Sequence, residues 1–378
     1  MLFLTLDTFG KTGGIQNVCR TLAYTLSAIA KSNSVSFSGF KMHSLYDNKP
    51  DSRYIEPKQF IGYKGFKIHF LIRATVDGLK AKTIIVSHIN LILIAMIIKA
   101  LSRKTQIIML AHGIEVWYKI PLWKKWFIKK HIKIWAVSNY TKQILEQNHT
   151  ICPANIEVLN NALDPFFCIP EKFEKPQQLL KRYQLNKDQP ILLSIARITK
   201  HETEKGYNEV IKLLPQLIKE FPTLHYLLCG KSDTDEKHRL ESFIREENLE
   251  KHISLIDFIN EDELTAHYLL ADTFILPSKK EGFGLVFIEA AACGCKTISG
   301  NIDGSIDAML NGELGRMVNP DSSNEIRKSI IKSLKQPHND QRALNIQIKC
   351  LENFSHQNYV QRTRNLLIKA PKTNNYAK

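Results

Sequence analysis

From Pro190 onward, short apolar runs alternate with segments of helical periodicity, and this alternation constrains the fold more than any other feature. Strand-type runs such as ILLSIAR, LHYLLCG, ISLIDFI, TFILPS, KTISG and GRMV are separated by amphipathic stretches such as GYNEVIKLLPQLIKEF and SNEIRKSIIKSL. Strands that alternate with helices of this length form a parallel sheet covered by helices on both faces. The second half of the chain is therefore predicted to be a doubly wound α/β domain.

The first half of the chain shows the same alternation less regularly. It begins with the apolar run MLFLTLD, which no basic segment precedes, so we predict a first strand and not a signal peptide. Further strands are predicted at residues 34–40, over Thr83–Ser87 and in the runs QIIMLAH, IKIWAVS and IEVLNNA. A chain of 378 residues is long enough for two domains. We place them at residues 1–170 and 171–353.

The most apolar segment, residues 83–101, is long enough to suggest a membrane span. His88 and Asn90 interrupt it, so we predict a buried strand followed by a buried helix from about Asn90. The seven cysteines are scattered, which favours reduced thiols in a cytosolic setting. Cys293 and Cys295 are close together, but no second pair lies nearby, so we favour small packing residues over metal ligands.

The net charge of +15 is concentrated in the first domain. Residues 1–170 hold 22 Lys and Arg against 9 Asp and Glu, a net of +13, which leaves +2 for the remainder. Such asymmetry indicates that the first domain faces an anionic partner, and a membrane surface, a phosphorylated lipid and nucleic acid would each fit. Nucleic acid is disfavoured because no nucleic-acid-binding fold is apparent.

One basic segment, residues 117–135, contains all four tryptophans of the chain and six lysines. A helix from Pro121 would place Trp123, Phe127 and Ile134 along one side and lysines along another. Tryptophan and lysine together suit a membrane interface. A merely solvated basic helix is the alternative.

Open parallel sheets bind ligands beyond the carboxyl ends of their strands. Gly13 and Gly14 follow the first strand, where glycines and a helix N-terminus let backbone N–H groups approach a phosphate. A tight turn that needs glycine for its own geometry is the alternative. His112 follows a later strand, next to Gly113, which opens space around the ring, and a purely structural histidine is the alternative.

Two cations follow the strand ILLSIAR. Arg197 lies at its end, and Lys205 lies just before the next helix. A guanidinium fork and a point charge suit a diphosphate. Because Glu202 and Glu204 share this loop, a solvated charged loop is the alternative. Asp233 in the DTD stretch is favoured as a helix cap over a metal ligand.

The stretch EGFGLVFIEAAACG, residues 281–294, carries two acids. Glu281 precedes a Gly-Phe-Gly turn, and a helix is predicted from about Leu285, so free N–H groups of the turn can meet ligand oxygens. Glu289 falls one turn into that helix on an otherwise apolar face, where a carboxylate needs a partner, and the vicinal diol of a ribose would serve. The alternative is an N-terminal helix acid plus an exposed Glu289.

Several motifs occur in the order typical of one family: GGIQNV, HGIEVW, AVSNYT, LNNALD, ARITKHETEKGYNEVI and LPSKKEGFGLVFIEAAACGCKTISGNIDG. On these motifs the chain resembles the family-four retaining glycosyltransferases over nearly its whole length. The resemblance implies the GT-B architecture, an α/β fold of two facing Rossmann-like doubly wound domains with the cleft between them. It also implies that the terminal helix, residues 354–369, packs back on the first domain. Asp303, before Gly304, is a local variation on the family pattern.

The resemblance implies a role for each candidate residue. Arg197 and Lys205 would hold the donor diphosphate, and His112 would contact the donor sugar. Glu281 would lie beside the sugar hydroxyls, and Glu289 would bind the ribose. Backbone and glycine positions would border the phosphates, the sugar and the acceptor region: Gly13, Gly14, Gly282, Phe283, Gly284 and Leu285.

The implied activity is retaining transfer of a hexose from GDP-mannose or a UDP-hexose to a lipid-linked glycan or lipopolysaccharide core. The expected location is cytoplasmic, peripheral on the cytoplasmic face of the membrane. The resemblance implies no metal and no cofactor, because the nucleotide sugar is a co-substrate. A sugar-nucleotide epimerase on the same fold and a non-catalytic nucleotide-sugar-binding subunit are the alternatives.

Overall fold

A computed structural model describes residues 1–32, 39–200 and 202–369. It divides the chain into two compact units. One consists of residues 1–165 together with the chain from Phe354 onward, and the other is Phe166–Asn353. The boundary predicted from the sequence, after residue 170, lies five residues later.

The first unit contains a parallel sheet of seven strands with the order β3-β2-β1-β4-β5-β6-β7. The strands are β1 Leu2–Thr5, β2 Lys41–Ser44, β3 Phe60–Gly62, β4 Thr83–Val86, β5 Gln106–Ala111, β6 Ile132–Ala136 and β7 Ile156–Val158. The strand predicted at residues 34–40 falls largely outside the described part of the chain. Strands β1, β4 and β5 are adjacent and parallel, so their carboxyl ends are neighbours at one edge of the sheet.

In the described residues, six helices connect these strands: α1 Gly14–Lys31, α2 Lys67–Lys80, α3 Ile92–Leu101, α4 Ile114–Trp117, α5 Leu122–His131 and α6 Asn139–Gln147. The segment at residues 83–101 forms a buried strand, a short 3₁₀ turn and α3, so the predicted strand and helix are confirmed. The helix is buried only on one side, because Leu93 and Leu101 are exposed. The prediction that a helix from Pro121 reaches Ile134 is wrong. That helix ends at His131, and Ile134 lies in β6, where its buried side chain joins the core under the sheet.

The second unit contains a parallel sheet of six strands with the order β10-β9-β8-β11-β12-β13. Its strands are β8 Ile191–Ile195, β9 His225–Cys229, β10 Ile253–Ile256, β11 Thr273–Leu276, β12 Thr297–Gly300 and β13 Gly315–Val318. Its helices are α7 Gln177–Arg182, α8 Tyr207–Glu220, α9 Thr234–Glu246, α10 Leu264–Leu270, α11 Leu285–Ala292, α12 Ser305–Ala308, α13 Ser323–Leu334 and α14 Asp340–Phe354. Each apolar run beyond Pro190 lies at a strand, as the alternation predicts.

The last described helix, α15 His356–Lys369, belongs to the first unit. Tyr359 and Leu367 pack into the core that α1 shares with the sheet, and His356 Nε2 lies 3.0 Å from the hydroxyl of Thr25. The chain therefore returns to its first unit after completing the second. The polar tail beyond Lys369 lies outside the described residues.

Candidate functional site

Two cations and two acids meet at the carboxyl edge of the second sheet. Lys205 Nζ lies 2.7 Å from Glu281 Oε1 and 3.9 Å from Glu202 Oε2. Arg197, two residues past β8, places its Nη2 2.9 Å from Glu202 Oε1. Glu202 therefore links both cations, and Lys205 connects the loop after β8 to the loop after β11.

The charge state of Lys205 depends on these neighbours. Burial by itself would lower its pKa, but the carboxylates of Glu281 and Glu202 outweigh that effect and raise the pKa above its ordinary value. Lys205 is therefore a cation at neutral pH, which is what binding of a diphosphate requires.

A glycine allows these two loops to touch. Gly206 has φ +86°, and a Cβ at this position would lie 2.2 Å from the carbonyl oxygen of Pro277. Only glycine tolerates that backbone conformation and that approach. The contact is extended by the N–H of Lys279, which donates to the carbonyl of Glu204 over 2.8 Å, and by an ion pair between Lys280 and Glu204. Lys205 is thereby fixed next to Glu281.

Helix α11 begins at Leu285, as predicted, directly after the Gly-Phe-Gly turn. Gly284 precedes it with φ +92°, and no acidic side chain lies in its first turn. Glu289 is half-buried on this helix, and its Oε2 accepts a 2.8 Å hydrogen bond from the hydroxyl of Tyr268. The expectation that this carboxylate needs a partner is met by a buried tyrosine, whose own pKa is raised by burial and by the charge of Glu289.

Asp303 holds the glycine turn in place. Its fully buried carboxylate accepts from the N–H of Glu281 over 2.7 Å and from the hydroxyl of Ser278 over 3.0 Å. It also accepts from the N–H and hydroxyl of Ser305 over 2.9 and 2.6 Å. A Cβ on the next residue, Gly304, would lie 2.0 Å from the carbonyl oxygen of Gly282. The variation noted at Asp303 in the sequence is thus a structural support for Glu281.

The titration of Asp303 gives a pH-dependent stability. Burial raises its pKa from 3.8 to about 6. The native state then binds this proton at a higher pH than the unfolded chain, so its contribution to the free energy of unfolding increases as the pH falls from about 6 towards 3.8. An Asp303→Asn variant cannot titrate there. Urea unfolding across this interval checks the prediction, and a wild-type-minus-variant difference that does not change with pH would contradict it.

In the first unit, Gly13 caps α1 and Gly14 begins it. A Cβ at Gly14 would meet no described protein atom within 4 Å, so packing within the chain does not explain this glycine. The preceding loop is fixed by Asp47, whose carboxylate accepts from the N–H groups of Thr8, Phe9 and Gly10 over 2.8, 2.9 and 2.7 Å. Sequence reasoning missed Asp47, because nothing near it in the sequence indicates contacts with residues almost 40 positions earlier.

His112 is buried at the end of β5, as predicted from its position after a strand. Its Nε2 lies 2.9 Å from the carbonyl oxygen of Ser87, which can only accept, so Nε2 carries the proton. Burial lowers the pKa of His112, although Glu115, whose carboxylate accepts from the backbone N–H of His112, acts in the opposite direction. The ring is therefore neutral at pH 7, and its Nδ1 can accept a hydrogen bond.

The structure gathers the predicted charged residues of the second unit into one cluster, and it places the predicted residues of the first unit after two strands of the first sheet. Arg197, Lys205 and Glu281 form one cluster, beside the start of the helix that carries Glu289. Gly13, Gly14 and His112 follow strands β1 and β5, which flank β4 in the first sheet. The cleft expected between the two domains stays a prediction.

A cavity of about 520 Å³ lies in the second unit at the opposite, amino-terminal edge of its sheet. Its walls include Tyr268, Asp272, Cys295 and Lys296, and none of the predicted cations or glycines. The charged cluster at the carboxyl edge remains the better candidate site, because it offers fixed cations beside a helix N-terminus.

Cys293 and Cys295 are both buried beside this cavity. Burial raises the pKa of the Cys295 thiol to about 12, which agrees with the prediction that these cysteines are packing residues.

Two further features bear on metals and membranes. The carboxylate of Asp233 accepts from the N–H of Glu236 and caps α9, as favoured from the sequence. Within the described ranges no group of three or more His, Cys, Asp or Glu side chains could hold a metal ion. No helix in the described part of the chain combines the length and apolar character needed to cross a bilayer.

Comparison with known proteins identifies the second unit. The model of the family "Glycosyl transferases group 1" matches residues 177–349, which include the candidate cations, the glycine turn and both acids. This part of the chain is therefore similar to the glycosyl transferases group 1. The match agrees with the resemblance inferred from the motifs.

Solved structures of glycosyltransferases share the fold. A glycosyltransferase from Rickettsia africae superposes with a TM-score of 0.76 at 17% identity and covers 98% of this chain and 99% of its own. Anabaena HepE, solved with UDP and glucose, has a TM-score of 0.75 at 16% identity and covers 97% of this chain and 99% of its own. The predicted class, two Rossmann-like α/β domains of the GT-B type, is confirmed.

A curated relative is a GDP-mannose-dependent α-(1-6)-phosphatidylinositol monomannoside mannosyltransferase of Mycolicibacterium smegmatis. It is 28% identical over 148 residues, which cover 37% of this chain and 37% of that relative. The match therefore spans well under two thirds of the relative's length.

Proposed function

We propose that this protein, whose second unit matches the glycosyl transferases group 1, is a retaining hexosyltransferase. It would move a hexose from a nucleotide sugar, GDP-mannose or a UDP-hexose, to a glycan or lipid-linked acceptor at a membrane. The product would belong to cell-surface polysaccharide or lipopolysaccharide synthesis. The single observation that carries this proposal is the cluster of Lys205, Glu281, Glu202 and Arg197 at the carboxyl edge of the second sheet.

The cluster supplies what glycosyl transfer needs. The bond between the anomeric carbon and the β-phosphate oxygen breaks, and the nucleoside diphosphate leaves with the electron pair. Two cations and the N-terminus of α11 stabilise that developing charge, and they are held in place before the reaction. The acceptor hydroxyl attacks from the same face, and its proton passes to the departing phosphate oxygen. The ion pair with Glu281 keeps Lys205 charged and positioned for this step.

The first unit would contribute its own groups to the sugar and acceptor. The neutral ring of His112 can accept a hydrogen bond at Nδ1 from a sugar hydroxyl. The open space at Gly14 would let a phosphate or acceptor oxygen approach the start of α1. Both features are supported by local geometry within the first unit.

The membrane-associated acceptor is proposed from two observations. The mycobacterial relative is named for a phosphatidylinositol mannoside acceptor. The basic segment 117–135 carries six lysines and exposes Trp123 and Trp126. An anionic surface at the cytoplasmic face of a membrane would suit both observations.

A thermal-shift screen of UDP, GDP, ADP and their sugars tests the donor. A ligand at about 100 times its Kd stabilises the native state by about 2.7 kcal/mol. We expect one base to raise the melting temperature far more than the others, and Arg197→Ala to reduce that shift. A flat response to every nucleotide would refute the proposal. Product analysis separates the alternatives: an epimerase interconverts the donor sugar without an acceptor, and a non-catalytic subunit binds the donor without turnover.

Replacing Glu289 with alanine tests the ribose contact. Hydrogen bonds to a charged acceptor contribute about 1.5–3 kcal/mol, so we expect the Kd of the preferred nucleoside diphosphate to rise about tenfold or more. The wild type should also prefer the ribonucleotide to its 2′-deoxy analogue, and the variant should lose that preference. Isothermal titration calorimetry measures both.

The matched control is Glu313→Ala, which removes an exposed carboxylate paired only at the surface with Lys349. It should leave both affinities unchanged. If Glu289→Ala still discriminates between the two nucleotides, Glu289 does not bind the ribose, and its contact with Tyr268 is purely structural.

A further inference from the structure

Helices α2, α3 and α5 cover the same face of the first sheet. Their inward side chains, including Phe70, Ile98 and Phe127, share one core with the strands beneath them. The helices are closely packed, since a Cβ on Gly78 in α2 would lie 2.5 Å from Ile98 Cδ1 in α3. Because α3 also contacts α5, the outward sides of the three helices adjoin one another, and we call this surface the three-helix face.

The outward side of α2 is apolar where a surface helix is normally polar. Ile68, Ile72, Val76 and Leu79 recur at helical spacing along one stripe, and all four are exposed. Ile68 is 72% exposed and Ile72 is 58% exposed. The opposite side of this helix, with Phe70 and Ala74, is buried in the core, so the stripe faces away from the core.

The other two helices continue the apolar surface. The exposed large hydrophobic side chains on α3 and α5 are Leu93, Leu101, Leu122, Trp123 and Trp126. Together with the α2 stripe and Phe66 before it, they make up ten of the 19 such side chains in the described part of the chain. Concentration of exposed apolar area on one face marks an interaction surface.

The charge of this face indicates the kind of partner that it binds. Between residues 57 and 145 the sequence holds 16 Lys and Arg but only two acids. Asp77 is buried and paired with Lys41 and His43, and the carboxylate of Glu115 accepts from the N–H of His112. The three-helix face is therefore apolar and cationic without an exposed carboxylate. A second copy of the chain would bring like charges together, which costs free energy.

We propose that the three-helix face docks on an anionic lipid membrane. Ile68 and Ile72 enter the boundary between headgroups and acyl chains, Trp123 and Trp126 lie at headgroup level, and lysines beside them contact lipid phosphates. This deepens the proposed function, because docking would present the protein to a membrane-bound acceptor. The docking surface proposed here differs from the one expected from residues 117–135, because α2 and α3 supply most of its apolar side chains.

Sedimentation with vesicles tests the docking. The full chain is mixed with vesicles of phosphatidylglycerol and phosphatidylcholine, or of phosphatidylcholine alone. We expect strong partitioning only onto the anionic vesicles, weaker at high salt. Ile68→Ser/Ile72→Ser should lower the partition coefficient about tenfold for each isoleucine, so about a hundredfold for the pair. Both residues are exposed, and an unchanged melting temperature shows that the variant folds.

The matched control is Leu344→Ser/Ile348→Ser, another exposed pair four residues apart, on α14 in the second unit. It should partition as the wild type does. The proposal is overturned if the wild type ignores anionic vesicles, if both pairs lose binding equally, or if light scattering shows a dimer that the Ile68/Ile72 variant dissociates. Nucleotide-induced thermal shifts, measured without lipid, report the proposed donor site independently of these outcomes.

Discussion

Replacing Lys205 with alanine is expected to lower kcat about 10²- to 10³-fold, the loss typical of one preorganised donor at a developing negative charge. Lys205 Nζ is held 2.7 Å from Glu281 and is cationic, so it stands ready to stabilise the leaving diphosphate. Steady-state kinetics with the nucleotide sugar selected by the thermal-shift screen measures the loss. Because the charge develops only as the bond breaks, we expect kcat to fall more than KM rises.

Two companion variants sharpen this test. Lys200→Ala removes a cation from the same loop, but one that is exposed and paired with Asp235, so its kcat should stay close to that of the wild type. Lys205→Arg keeps the charge with a different geometry and should fall between the two. Equal losses in Lys200→Ala and Lys205→Ala would show that the loop contributes only general positive charge.

Replacing Asp303 with alanine is expected to destabilise the second unit by at least about 3 kcal/mol, because each buried donor left unsatisfied costs about 1–3 kcal/mol. Four donors lose their acceptor at once, from Ser278, Glu281 and both polar groups of Ser305. For a domain of this size, that loss lowers the melting temperature by about 6–12 °C. Urea unfolding gives the free energy directly.

Asp321→Ala is the control for this prediction. Asp321 is exposed and paired with Lys279 in the same region, and a surface ion pair contributes at most about 1 kcal/mol. If Asp303→Ala is no more destabilising than Asp321→Ala, water satisfies the donors and Asp303 is not the support that the geometry indicates. The surviving Asp303→Ala protein should also bind the nucleotide sugar less tightly, because Glu281 loses its backbone anchor.

Local sequence patterns predicted the parts of the site that lie close together in the chain. The start of α11 at Leu285 and the turn before it follow from glycines between a strand and a helical segment. The positions of Arg197 and Lys205 after a strand followed from the alternation of elements. These features depend on contacts between residues that are close in sequence. Such contacts produce a periodic pattern of apolar residues, and glycine and proline mark the ends of the elements.

The parts that sequence reasoning missed depend on distant contacts. Asp47 reaches back to Thr8–Gly10, and Asp303 reaches the glycine turn from the next strand's loop. Helix α2, with its exposed apolar stripe, was not predicted at all. The segment at 117–135 looked continuous, but the helix ends at His131 because the following residues pair as β6 beside β5.

The sequence by itself determined the doubly wound class, the order of the elements and which polar residues follow strands, because a buried parallel strand and an amphipathic helix each impose a period on the chain. Only the tertiary structure decided which of those residues meet. The ion pair between Lys205 and Glu281 joins positions 76 residues apart, and it forms because strands β8 and β11 are neighbours and Gly206 lets their loops touch. Strand order and close backbone approach are properties of packing, and no local pattern encodes them.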